Sequence, residues 1–345
     1  MAKAEFEQND VTAMRELGID LSDRWWDLLP QILEETGFRP DWKQVRQSQW
    51  WKSGKVGAVS IHGTFGEETP AVLKLQGTKP QTSEGDQINQ FDVQNKSEII
   101  RSPKIFKHLP WDNKLQVEAI VFEEIQNAAY SIVEHPAPQD HLDLYFDLYQ
   151  EYRANCLNTS WIRRPASWSY ANQVEKWIAA TENMRQTDKF LLDLDWSLMR
   201  RGIEIIEDSL KVSDLEFMHG HFQPGDLLIK NNQEVILFSH LFWSWRIPHY
   251  DKVFGYHWWM LGMEHADGLT KDRYLSERKR WLDRIYALPD VQSDSQKRFL
   301  KLAFLERAVP ALMVDRLMLD QTKPSAKLIT DFKREELKEL IVELE

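Results

Sequence analysis

Two kinds of hydrophobic spacing divide the chain. In the first, "KVGAVSIHG" and "PAVLKLQG" are short runs rich in β-branched residues and bounded by Gly or Pro, and "LQVEAIVFEEI" is another. Short β-branched runs with such boundaries predict strands, so residues 47–125 should form a small sheet. Between these runs, "QINQFDVQNKSEIIRS" reads as a helix ending before Pro103. Ahead of them, "LSDRWWDLLPQILEETGF" offers Ser22 or Asp23 as a cap before an apolar stripe broken by Pro30. Residues 1–44 therefore read as a helical N-terminal extension.

After the Pro-rich stretch "EHPAPQDH" the spacing becomes helical. Leu142, Tyr145, Phe146, Tyr149 and Tyr152 share one face, and Leu192, Trp196, Met199, Ile203, Ile206 and Leu210 step by threes and fours along another. The second pattern belongs deep in a core. One interruption follows: "DLLIKNNQEVILFS" reads as a hairpin turning at Asn231-Asn232. Beyond Asp251 the chain returns to helix, ending in an amphipathic segment through Leu337, Leu340, Ile341 and Leu344. The expected organisation is an extension (1–44), a β-rich part (45–130) and a helical part (131–345).

Composition narrows the class. At 345 residues the chain can bury a two-part core, and 42% hydrophobic with 28% charged residues is ordinary for a globular protein. A formal charge of -11 argues against broad binding of nucleic acid or anionic membrane, both of which select clustered Lys and Arg. The single Cys156 excludes an internal disulfide and suits a reducing compartment. The polar start "MAKAEFEQND" has no apolar signal core, and no run reaches the ~18 apolar residues of a membrane span, so a cytoplasmic location is expected. Fifteen Trp are chiefly core material and name no ligand.

Chemistry concentrates in "HGHFQPGDLLI", residues 219–229. It resembles the catalytic loop of the aminoglycoside phosphotransferase and choline kinase-like family, which reads approximately H-G-D-hydrophobic-x-P-G-N-hydrophobic-hydrophobic. His219, Gly220, Pro224 and Gly225 match without a gap. The resemblance spans roughly residues 47–310 and implies an α+β, bilobal protein-kinase-like fold, with a small β-rich N-lobe and a larger helical C-lobe. It also implies roles. Lys74, in mid-strand, resembles the lysine that contacts ATP phosphates, and Glu98 is the helix carboxylate chosen to pair with it. Gly54 and Gly57 stand where the family has a phosphate-covering loop. Glu123 and Glu124, in "FEEI", resemble the interlobe hinge whose backbone meets adenine. Asp251 matches a structural Asp, with starting a helix as its plainer role.

The departures fall on the reacting groups. The family's catalytic Asp aligns with His221, its metal-binding Asn with Asp226, and its second metal Asp with Ser239 in "VILFSHLFW". No Asp or Glu occurs from Phe217 to Gly225 or from Val235 to Tyr250, so no shift of alignment restores them. Phosphoryl transfer relies on metal-bridged charge neutralisation, so the lost metal Asp is the graver change. A neutral imidazole at His221 can take a proton, and Asp226 alone can hold one magnesium ion. The expectation is a pseudokinase that binds a nucleotide, metabolite or protein, with ATP and Mg2+ binding weakened or lost. The alternative is a slow ATP-dependent small-molecule kinase using His221 and Asp226. A third reading comes from six histidines between 219 and 265: His221, Asp226 and His240 converging on a metal ion.

Overall fold

The structure is a computed structural model, which describes residues 21–42, 46–48, 57–80, 82–184, 190–230 and 234–345. The chain divides into two compact units. The first is Met1–Gln94, Glu98–Ala128 and Lys230–Leu241; the second is Asn95–Ser97, Ala129–Ile229 and Phe242–Glu345.

In the first unit the alternation seen in the sequence becomes an antiparallel sheet. Strand Thr69–Gln76 lies at its centre, between Ala58–Phe65 and Val117–Glu123, with Phe38–Pro40 and Ile105–Asp112 outside these. Strand Arg46–Ser48 also pairs with Ala58–Phe65. Ala71, Leu73 and Leu75 turn to one face, joined there by Val117, Ala119 and Val121. The helix Asp23–Thr36 packs Trp25, Trp26, Leu29, Ile32 and Leu33 against that same face, so the segment preceding the kinase-like region is built into the core. Ser22 occupies the cap position, but through its carbonyl, which accepts the Trp25 N–H at 2.9 Å. On the opposite face Ile120 and Phe122 pack with Ile88 of the helix Glu84–Gln94. Lys74 points to this second side because it alternates with the buried Leu73 and Leu75.

Residues 230–241 were expected with the second half. They belong to the first unit because strand Glu234–Leu237 pairs in parallel with Ile100–Arg101, Val235 lying opposite Ile100. Arg101 reinforces that pairing by bridging Glu123 and Glu234. The turn at Asn231-Asn232 lies outside the described residues.

The second unit is helical. Tyr145, Phe146, Tyr149 and Leu142 of helix Gln139–Glu151 are buried, as their spacing predicts. The helix Asp193–Ser209 buries Trp196, Met199, Ile203 and Ile206, while Leu192 stands exposed at its cap position. It packs so closely that a Cβ on Gly202 would lie 2.7 Å from Val309. The C-terminal helix Pro324–Leu344 buries the expected Leu337, Leu340, Ile341 and Leu344. A two-pronged ion pair from Arg334 to Asp195, at 2.6 and 3.0 Å, fixes it against Asp193–Ser209. Among the described residues no helix is long and apolar enough to cross a membrane.

Candidate functional site

In the first unit, Lys74 Nζ lies 2.5 Å from Glu84 Oε2. The partner is Glu84 and not Glu98, which is exposed beyond the helix that ends at Gln94. The helix stops there because the Asn95 side chain accepts the Ser97 N–H at 3.0 Å, a local turn that competes with further helix. At its other end Ser83 caps the helix, its Oγ accepting the Asp86 N–H at 3.3 Å, and so holds Glu84 over the strand carrying Lys74.

Ser83 also donates to Glu118, whose Oε1 sits 2.8 Å from His108 Nε2. Burial acts to raise the Glu118 pKa, but the His108 and Ser83 hydrogen bonds bring it below the ordinary carboxylate value. Ser83 and Glu118 meet the same imidazole nitrogen, with Ser83 Oγ 3.2 Å from it. A nucleophile relay needs them on opposite nitrogens, so this trio is a structural lock for the helix start.

The remaining first-unit candidates are engaged in structure. Gly57 accepts the Gly77 N–H at 2.9 Å through its carbonyl, extending the strand edge, and Gly54 lies outside the described residues. The Glu123 carboxylate takes Arg101 and the Lys104 N–H, while Glu124 meets His62 at 2.8 Å. Their own N–H groups bond Lys104 and Pro70 carbonyls at 2.9 and 3.1 Å. Ser239 sits in the left-handed region, φ 64, in the turn after strand Glu234–Leu237. Beside it, buried His240 places Nε2 2.8 Å from the Leu237 carbonyl and its ring 4.8 Å from Phe91. His240 is thus a packed core residue, which removes it from the three-residue metal reading.

In the second unit, the loop begins where strand Glu216–Met218, paired with Ser244–Arg246, runs out. Gly220 turns the chain at φ 77, and a Cβ there would lie 2.5 Å from the Phe242 carbonyl oxygen. Only glycine meets both demands. Asp251, in the first turn of helix Tyr250–Gly262, clamps this turn. It accepts the Gly220 N–H at 2.8 Å, the His219 N–H at 3.2 Å and the Tyr152 hydroxyl at 2.6 Å. Burial raises the Asp251 pKa, and these hydrogen bonds oppose the shift. Asp251 therefore does more than start a helix. Phe222, buried at the middle of the loop, stacks on Tyr152 at 4.6 Å and accepts the Tyr145 hydroxyl through its carbonyl.

On this backbone the two exchanged residues meet each other. His221 Nδ1 lies 2.6 Å from Asp226 Oδ2, and the ring stacks on Phe242 at 4.4 Å with Phe254 tilted against it at 4.5 Å. A carboxylate accepting from Nδ1 fixes the imidazole with its proton on that nitrogen and its lone pair on Nε2. Such a pair can accept a proton. Among the described residues no group of three or more His, Cys, Asp or Glu is arranged to hold a metal ion.

No protein-family model matches the sequence, and no curated protein matches it either. Solved structures do. The chain is similar to a thermostable mutant of the aminoglycoside phosphotransferase APH(4)-Ia in its apo form, with TM-score 0.54 and 10% identity, covering 90% of this chain and 97% of that one. The same mutant background carrying a further substitution, in a ternary complex with ADP and hygromycin B, gives TM-score 0.53, 11% identity and coverage of 90% and 96%. A choline kinase from Cryptosporidium parvum Iowa II gives TM-score 0.53, 12% identity and coverage of 92% and 96%. The fold is that of the aminoglycoside phosphotransferases and choline kinase, as the loop and strand patterns led us to expect.

Proposed function

We propose that this chain is a pseudokinase: a kinase-fold protein that works by binding a nucleotide, metabolite or protein rather than by rapid phosphoryl transfer. The observation that carries this reading is the His221–Asp226 hydrogen bond at 2.6 Å. Asp226 is the single carboxylate left at the three aligned positions, and one of its two oxygens, Oδ2, is taken by an imidazole. A magnesium ion bridging phosphates needs carboxylates with free oxygens in its coordination sphere, and Ser239 supplies none. The residues present do not fit such a site. Lys74, steered by Glu84, is the cation that supports nucleotide binding. The ADP bound by one structural neighbour is the model for it.

Calorimetric titration with ATP, with and without magnesium, tests the reading. The wild type should show no magnesium dependence. His221→Asp, Asp226→Asn and Ser239→Asp together restore the family's charge pattern and should introduce it, with Ser239→Asp contributing most. Asp tolerates the left-handed conformation at 239 better than most residues. The reading fails if the wild type phosphorylates hydroxyl-bearing antibiotics, choline or sugars well above background and Lys74→Ala abolishes that turnover.

One feature favours a second reading, a slow phosphotransferase. With Nδ1 held by Asp226, His221 offers Nε2 as a general base, a role worth about 10²- to 10⁴-fold in rate. Slow turnover lost in both His221→Ala and Asp226→Ala would establish it.

A further inference from the structure

Three polar side chains share one face of the first unit's sheet. Lys74 and His108 both lie opposite Ile120, one on each strand flanking Val117–Glu123, and Glu118 stands two residues before Ile120, so all three project to the same side. The helix Glu84–Gln94 packs on that side through Ile88. We infer that Glu118, His108 and Ser83 are positioning residues for Lys74: they fix the first turn of the helix so that Glu84 holds the ammonium in one place, where it meets the phosphate of a nucleotide. The inference rests on the reading of Lys74 as the cation for a nucleotide and adds the groups that set it.

Glu118 carries the argument. Its side chain is fully buried, and a carboxylate so placed needs donors. Each of its donors bears on the helix start: Ser83 Oγ donates to Oε1, His108 Nε2 lies 2.8 Å from the same oxygen, and the Gly85 N–H also bonds the carboxylate. Against burial, the His108 and Ser83 hydrogen bonds hold its pKa below the ordinary carboxylate value, so it stands as a fixed negative charge at the helix N-terminus. Ser83 and Gly85 flank Glu84, the buried residue whose Oε2 lies 2.5 Å from Lys74 Nζ.

Gly85 is the second observation. A Cβ there would lie 2.6 Å from His108 Nδ1 and from its Cε1, so the missing side chain is what lets the imidazole close on the helix start. A helix that needed only a cap already has one, since Ser83 Oγ accepts the Asp86 N–H at 3.3 Å. A buried charge is a costly addition to a cap, because removing a carboxylate from water is repaid only by well-placed partners. The placement of Glu84, and through it of Lys74, is what that cost secures.

Two measurements on the full chain test this. Acylation of Lys74 by acetic anhydride, mapped by mass spectrometry against the exposed Lys114, reads the ion pair without any ligand. Glu118→Ala and His108→Ala should raise the Lys74 rate by about tenfold, the worth of one hydrogen bond to a charged group. His108→Gln, whose amide donates in place of Nε2, should restore most of the wild-type protection. Gly85→Ala should raise the rate with every polar side chain retained, whereas Val121→Ala, which loosens the opposite face of the same sheet, should not. Calorimetric titration then compares ADP with adenosine: the variants that free Lys74 should weaken ADP by about tenfold and leave adenosine unchanged, since only the phosphates meet the lysine. If Glu118→Ala does not fold, Ser83→Ala and Gly85→Ala carry the same comparison. An unchanged Lys74 rate in the folded variants, an equal rise in Val121→Ala, or equal weakening of ADP and adenosine would each overturn the inference. A raised Lys74 rate in variants of a chain whose wild type binds neither ADP nor adenosine would uphold the positioning of Lys74 and sink the nucleotide part of the preceding reading instead.

Discussion

Replacing Asp251 by Ala should unfasten the 219–226 loop while leaving most of the second unit folded. The carboxylate accepts from Gly220, His219 and Tyr152, all buried. With it gone, the His219 N–H keeps the Tyr152 oxygen at 2.8 Å, but the Gly220 N–H and the Tyr152 O–H lose their acceptor. Two stranded buried donors cost about 1–3 kcal/mol each. Part of this is offset, because burial opposes the charge of Asp251 and its removal ends that penalty. A net loss of about 3 kcal/mol follows, or roughly a hundredfold in a local opening equilibrium. Since two units need not unfold together, hydrogen exchange is the better assay than a single denaturation midpoint. Peptides covering 217–222 should lose about two decades of protection, and peptides in Asp193–Ser209 should lose far less. Tyr152→Phe should cost about 1 kcal/mol, and the double variant less than the sum, because the two side chains share a hydrogen bond. Unchanged protection at Gly220 in Asp251→Ala would refute the clamp.

Gly220→Ala should destabilise the same loop by about 2 kcal/mol or more, because it adds left-handed strain to a Cβ 2.5 Å from a carbonyl; an unshifted unfolding midpoint would contradict this. Stability should fall as pH drops. His257, fully buried and 2.9 Å from Asp315, has its pKa pushed down to about 4 by burial first and by Lys333 second, against an ordinary value near 6.5. The unfolded chain therefore binds the extra proton in that window, so urea unfolding between about pH 7 and about pH 5 should lose about 2 kcal/mol, a share that His257→Gln should remove. Burial also pushes the Cys156 thiol up to about 12, so a thiol reagent at about pH 8 should label it only after denaturant is added.

What the sequence made legible depended on whether the signal was local and periodic. Ala71, Leu73 and Leu75 announced their strand because every second residue met the same core. The 3.6-residue step likewise exposed Trp196, Met199, Ile203 and Ile206. The loop was legible as a motif, and Gly220 bears the conformation that motif requires. The Lys74 partner differs from the expected Glu98 because the helix through "DVQ" ends at Gln94 and does not run on to Glu98. Two local cues pointed elsewhere: Asn95 before Ser97 as a turn, and Ser83 three residues before Asp86 as a cap, which places Glu84 in the first turn. The Asp251 clamp was not legible, since it joins residues 31 and 99 positions apart.

The loop's shape and its chemistry rest on different atoms, which explains how one can persist while the other changes. Asp251 and Tyr152 grip backbone N–H groups of residues 219 and 220, and Phe222 is anchored by aromatic rings and by its own carbonyl. None of these contacts involves the side chains at 221 or 226. With the family's Asp at 221 and Asn at 226, the one carboxylate would face a neutral amide and need a cation to balance its charge, whereas His221 now stands 2.6 Å from Asp226. An imidazole facing a carboxylate has no such requirement. The exchange to His221 and Asp226 therefore yields a loop that is electrostatically complete by itself. Among variants at 221, 226 and 239, dependence on a divalent ion should track the number of carboxylates at the three positions rather than the integrity of the fold.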